Sequence, residues 1–184
     1  MRQAIFGILL WFIVSIPPIV TFLESIMVLH MLVQLPALIF VGWLIGKSLI
    51  ARFRPFFITW NENGVPGMLV VVFLTTYWML PRVMDEALTI WYIELFKFIS
   101  LPVVGLFFRD SWGKMKTVGK SFLFFNYLSM FGLMAWLYID TPIQICNNYL
   151  EIEQHTLGWG FLIITAVMGL YIVQIAFTDQ SEKP

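Results

Sequence analysis

The chain has 184 residues, of which 60% are hydrophobic and 12% charged, with a mean hydropathy of +0.85. A soluble domain of this length carries about 25% charged residues, so a water-soluble globular fold is excluded; in water the chain would expose large apolar patches. Eleven basic residues balance eleven acidic ones, which leaves no charge excess to attract nucleic acid, and a single cysteine, Cys146, excludes an intrachain disulfide or a CxxC motif.

Six apolar runs reach the length of about 20 residues that a helix needs to cross the hydrocarbon core: 4–23, 26–46, 65–84, 87–108, 121–139 and 157–177. The first carries no small-x-small cleavage signature and is expected to be retained as a helix. Pro17-Pro18 and Pro102 predict kinks in the first and fourth runs, which membrane helices tolerate when neighbours satisfy the freed carbonyls. The joints at 24–25 and 82–86 are short and predict tight helical hairpins. Six spans place Arg2, Lys47, Arg52, Arg54, Arg109, Lys114, Lys116, Lys120 and Lys183 on one side, against Arg82 on the other, while Lys97 falls inside a span. The excess of positive charge marks the cytoplasmic side. The expectation is an all-α, polytopic membrane helical bundle of about six transmembrane helices, N-in/C-in. Residues 1–178 form one domain and 179–184 a short polar cytoplasmic tail.

Polar residues inside spans are informative, because each costs a few kcal/mol at the bilayer centre unless paired. Glu24, Met27, His30, Met31 and Gln34 follow i, i+3, i+4 spacing and share one face of the second span. His30 would lie about 8 Å below its outer end. An imidazole beside thioethers suits a soft cation such as Cu(I); the simpler reading has His30 and Gln34 bonding to neighbouring helices while the methionines pack. At the end of the third span, Tyr77 and Trp78 suit the membrane interface, Met79 adds a sulfur near the outer face, and Asp85 is placed to cap the fourth span. In that fourth span Glu94 and Lys97 stand three apart, as in a self-neutralising pair. Glu153, Gln154 and His155 open the last span, where acidic side chains suit the helix dipole; the functional alternative adds His155 and Cys146 to an external metal site. The His30 stripe, the Met79–Asp85 segment, Glu94 and the Glu153–His155 cluster all fall in the outer half, which predicts one functional surface there.

The ordered set resembles the CtaG-like cytochrome c oxidase assembly factors of bacterial membranes. Its pieces are His30-Met31-Leu32-Val33-Gln34 with Pro36; then Trp78 to Pro81, Asp85 to Leu88, Glu94 and Gly105 to Phe108; and finally Glu153-Gln154 with Gly158-Trp159. The resemblance touches about half of the chain, and it implies a bacterial cytoplasmic (inner) membrane and a role in copper delivery to a haem–copper oxidase of the respiratory chain. On this reading the metal ligands are His30, Met31, Met79 and His155, holding Cu(I), with Gln34, Asp85, Glu94, Lys97, Glu153 and Gln154 as further polar site residues. Family members tend to be longer, with a seventh helix. Gln34, Met79 and Leu95 stand where they often carry histidine. The alternative is therefore an accessory transmembrane subunit of a larger membrane oxidoreductase, without its own metal. No Ser/His/Asp set, phosphate loop or haem-type histidine pair argues for an enzyme. A channel or transporter is disfavoured by the lack of inverted repeats and inner-half polar residues.

Overall fold

The computed structural model describes residues 2–141 and 144–178; the expected polar tail at 179–184 lies outside them. All regular structure among the described residues is helical: α1 (Arg2–Ser15), α2 (Pro17–Glu24), α3 (Met27–Leu29), α4 (Leu35–Arg52), α5 (Arg54–Trp60), α6 (Val65–Met79), α7 (Pro81–Thr89), α8 (Trp91–Trp112), α9 (Thr117–Asp140) and α10 (Glu151–Thr178). Four stretches are long and apolar enough to cross a membrane: Met27–Arg52, Trp91–Trp112, Thr117–Asp140 and Glu151–Ile175. Two bent pairs bring the total to six if each counts as one span: α1 with α2, at 70°, and α5 with α6, at 91°. The long apolar helices expected from composition are thus present, with four to six candidate spans by length and composition.

Prolines set the breaks. Pro17 opens α2 after an extended Ile16 (φ −67°, ψ 126°), so the expected kink is a break. The third run is shorter than predicted, because Leu80 is extended (ψ 123°) ahead of Pro81 and α6 stops at Met79. The expected tight hairpin is replaced by the nine-residue α7, which buries Val83, Met84 and Ala87 on one side. Pro102, by contrast, sits inside an unbroken α8. Proline cannot donate to the carbonyl four residues back, that of Phe98. The indole Nε1 of Trp11 donates to that carbonyl instead, at 3.2 Å.

Pro36 has a local effect of the same origin. Its missing N–H and its ring disfavour a regular turn before it, and residues His30–Gln34 widen into a π-helical turn in which Leu35 N–H reaches the His30 carbonyl. The wider turn keeps His30, Met31 and Gln34 all buried.

Packing centres on α4, which lies between α1 and α8. With little hydrophobic drive between helices in lipid, close backbone approach and interhelical hydrogen bonds carry association. Gly42 and Gly105 supply that approach: a Cβ on Gly42 would fall 1.8 Å from the Pro102 carbonyl oxygen, and one on Gly105 1.8 Å from that of Ile39. α6 packs on the other side of α8. α9 and α10 pack mainly on each other, and α10 also touches α3.

Candidate functional site

One buried polar cluster joins α2, the π-turn, α8 and the 144–150 loop. Lys97 is fully buried, and its ammonium forms an ion pair with the Glu24 carboxylate. Gln34 Nε2 donates to the same carboxylate at 3.2 Å, and Gln34 Oε1 accepts from Lys97 at 3.5 Å. Lys97 Nζ also lies 3.4 Å from His30 Nε2. On the other side of the ring, His30 Nδ1 is 2.8 Å from the Tyr149 hydroxyl, which donates to the Glu24 backbone carbonyl at 2.9 Å.

Donor bookkeeping assigns the tautomer. The single hydroxyl proton of Tyr149 goes to the Glu24 carbonyl, so Tyr149 oxygen accepts from His30 Nδ1–H. Nε2 is then a lone pair that accepts from Lys97. Burial, and then the nearby Glu24 charge, hold the Tyr149 phenol well above its ordinary value, which keeps it a donor. His30, Gln34, Lys97 and the Tyr149 hydroxyl each bond to another member of the cluster.

A cap seats Tyr149. Asp85 Oδ1 and Oδ2 accept from Asn147 Nδ2 (2.9 Å), Asn148 Nδ2 (2.8 Å) and Asn148 N–H (3.0 Å), tying α7 to the loop. Partial burial pushes the Asp85 carboxyl up, but these hydrogen bonds outweigh it and leave the group below its ordinary 3.8. Gln154 is buried; its Oε1 accepts from Ile145 N–H at 3.0 Å, while Gln144 Nε2 donates to the Tyr149 carbonyl at 2.6 Å. Cys146, within this loop, is buried, and burial followed by the Asp85 charge pushes its thiol up to about 11.

The structure thus brings His30, Gln34 and Lys97 together, and uses Asp85 and Gln154 to hold the loop above them. It separates the other expected site residues. Met31 and Met79 line an apolar cavity of about 350 Å3 shared with Thr75, Trp78, Tyr127 and Phe131. Glu94 lines a different cavity, of about 480 Å3, beside Glu24, Trp11 and Phe98. Glu153 Oε2 accepts from the Leu150 N–H at 3.1 Å, the return half of a capping box on α10. His155 is partly exposed, with Nε2 3.8 Å from Glu151.

Several expectations are corrected. Lys97 pairs with Glu24 rather than Glu94, because its chain turns inward where Glu24 ends α2. Asp85 does not cap α8, whose N-cap is Ile90, since α7 carries Asp85 to the loop instead. Trp78 faces into the bundle rather than outward: it is 1% exposed and its Nε1 donates to Ser100 Oγ at 2.9 Å. The polar groups are not confined to one end. Asn61, at the end of α5, donates to Asp110 (2.7 Å) and Ser111 (2.9 Å), and Lys114 bridges Asp110 at 2.7 Å. An i,i+4 Asp–Lys spacing was the only signal of this second cluster in the sequence, and nothing in the sequence singled out Tyr149.

The copper expected from the resemblance would meet two obstacles at these donors. A cationic ammonium within reach of His30 Nε2 opposes a second cation there, and the two thioethers face an apolar cavity. Among the described residues no three His, Cys, Asp or Glu side chains converge as a metal site. No protein-family description, characterised protein or solved structure matches the chain.

Proposed function

We propose that this chain is a non-enzymatic accessory subunit of a larger membrane oxidoreductase, and that it holds no copper of its own. The sequence resemblance points to the haem–copper oxidases as the class of client, in a bacterial cytoplasmic membrane. Six spans with both termini in the cytoplasm is the topology that the basic residues favour. One observation carries the reading: both ring nitrogens of His30 are committed, to Tyr149 and to Lys97. The polar residues that a copper carrier would offer to a metal serve here to fix the cap to the bundle. An apolar chain with a rigid outer cap suits a permanent neighbour of other membrane subunits.

The test is purification of the tagged chain from native membranes in a mild, non-chelating detergent under reducing conditions. The expected result is co-purification with oxidase subunits at a fixed ratio, with copper tracking the oxidase and unchanged per complex in a His30→Ala/Met31→Ala variant. Stoichiometric Cu(I) on the isolated chain, lost in that variant, overturns the proposal. So does loss of oxidase copper on deletion when the chain is absent from the mature enzyme, which identifies a transient assembly factor.

A further inference from the structure

The 350 Å3 cavity between the α4–α6–α8 layer and the α9–α10 hairpin is not used by the polar cluster. It reaches along α6 from Val71 to Met79, about 12 Å at helical rise. Water does not suit it, because an apolar cavity stays dry. At more than twice the ~150 Å3 that accepts a benzene, it leaves a large volume of unmade dispersion contacts for an apolar chain to fill.

The lining also determines which apolar molecule suits it. Its side-chain oxygens belong to Thr75 and Tyr127, and both protons are spent: Thr75 donates to the Val71 carbonyl at 2.7 Å, and Tyr127 donates to Thr75 at 2.7 Å. No donor remains for a quinone carbonyl or a lipid headgroup. α6 and α9 pack only loosely along this cavity, clasped by the Thr75–Tyr127 bond and a 4.0 Å contact of Thr76 with Met130. We propose that this cavity binds one acyl chain of a membrane phospholipid, aligned with the helices and admitted between α6 and α9. The site depends only on the chain lying in a bilayer, not on its client complex.

The probe is a phosphatidylethanolamine with a diazirine on its acyl chain, in vesicles containing the purified full chain, with crosslinks mapped by mass spectrometry. Labels are expected on Val71, Tyr127 and Phe131 at several times the level on the exposed α10 residues Val167 and Leu170. Unlabelled phospholipid should chase the cavity label saturably, while the α10 label falls in simple proportion. Val71→Trp, which fills the cavity, should cut labelling of α9 at least fivefold and leave α10 unchanged. Should that variant fail to fold, the saturation measurement on the native chain decides. Equal, non-saturable labelling at both places shows annular lipid alone and overturns the proposal. Recovery of one isoprenoid molecule per chain that blocks the label overturns it as well.

Discussion

The hydroxyl of Tyr149 lies 2.8 Å from Nδ1 of His30, across 119 positions of sequence, and joins the 144–150 loop to a buried turn. Removing it leaves His30 Nδ1–H buried without an acceptor and the Glu24 carbonyl without a donor. One buried unsatisfied group costs about 1–3 kcal/mol. Tyr149→Phe keeps the ring and should lower stability by about 1–2 kcal/mol, read as a fall in Tm in detergent. An unchanged Tm would mean that the cap and the bundle are not coupled through this contact.

The Lys97–Glu24 pair predicts an asymmetry between two glutamates. Lys97→Met leaves the Glu24 carboxylate beside a buried site with no counter-charge, a loss of about 3 kcal/mol or more. Glu24→Gln strands the ammonium in the same way. The double variant Glu24→Gln/Lys97→Met should recover much of either loss, since neutral partners avoid the desolvation cost. Glu94→Gln removes no ion pair among the described residues and should cost under about 1 kcal/mol. Denaturation of the four variants in mixed micelles gives the coupling; equal losses for Glu94→Gln and Glu24→Gln would restore the i,i+3 pairing with Lys97.

How much of this was legible differs from residue to residue. His30, Gln34 and Lys97 declared themselves because a polar group in an apolar run needs a partner, and periodicity put two of them on one face. Their partners were not legible: spacing puts Glu24 on the same helix face, yet it ends a separate helix and returns through space. Tyr149 was invisible because a tyrosine in a polar loop carries no local signal, and only the turn geometry held by Asp85 and Gln154 aims it inward. The prolines were half legible. Each announced a lost hydrogen bond, but whether the helix breaks, as at Pro17, or survives, as at Pro102, depended on Trp11 reaching the Phe98 carbonyl.

Cys146 reports on the cap. It is fully buried and its thiol is pushed up to about 11, so at pH 7.5 it should react with a maleimide at least tenfold more slowly than an exposed cysteine, such as Ile152→Cys in a Cys146→Ser background. Asp85→Ala frees Asn147 and Asn148 and should speed Cys146 labelling several-fold. The pH dependence has a definite sign. A carboxyl lowered in the folded state stabilises above its unfolded value, about 3.9, and that contribution fades as pH falls through the folded value. With a pyridyl disulfide, which reacts with thiols in acid, Cys146 should become more reactive as pH falls below about 4. The Asp85→Asn variant should show a flat profile over the same range; a parallel rise there would assign the opening to another group.

The α4–α8 contact gives the sharpest contrast among glycines. Both Gly42 and Gly105 face carbonyls of the opposite helix at a distance no Cβ tolerates, 1.8 Å in each case, whereas Gly169 meets nothing within 4 Å. An added methyl must therefore push the helix backbones apart rather than move a flexible side chain. Separating α4 from α8 also draws Lys97 away from the π-turn and changes the shape of the apolar cavity, since both helices line it. Gly105→Ala should cost about 3 kcal/mol, the upper end of ordinary overpacking, and should raise exchange of backbone amides in 30–34. Gly169→Ala should instead be neutral or stabilising by up to about 1 kcal/mol, from helix propensity alone. Measured side by side in the same detergent, similar effects at the two positions would show that α4 and α8 do not approach as closely as their glycines allow.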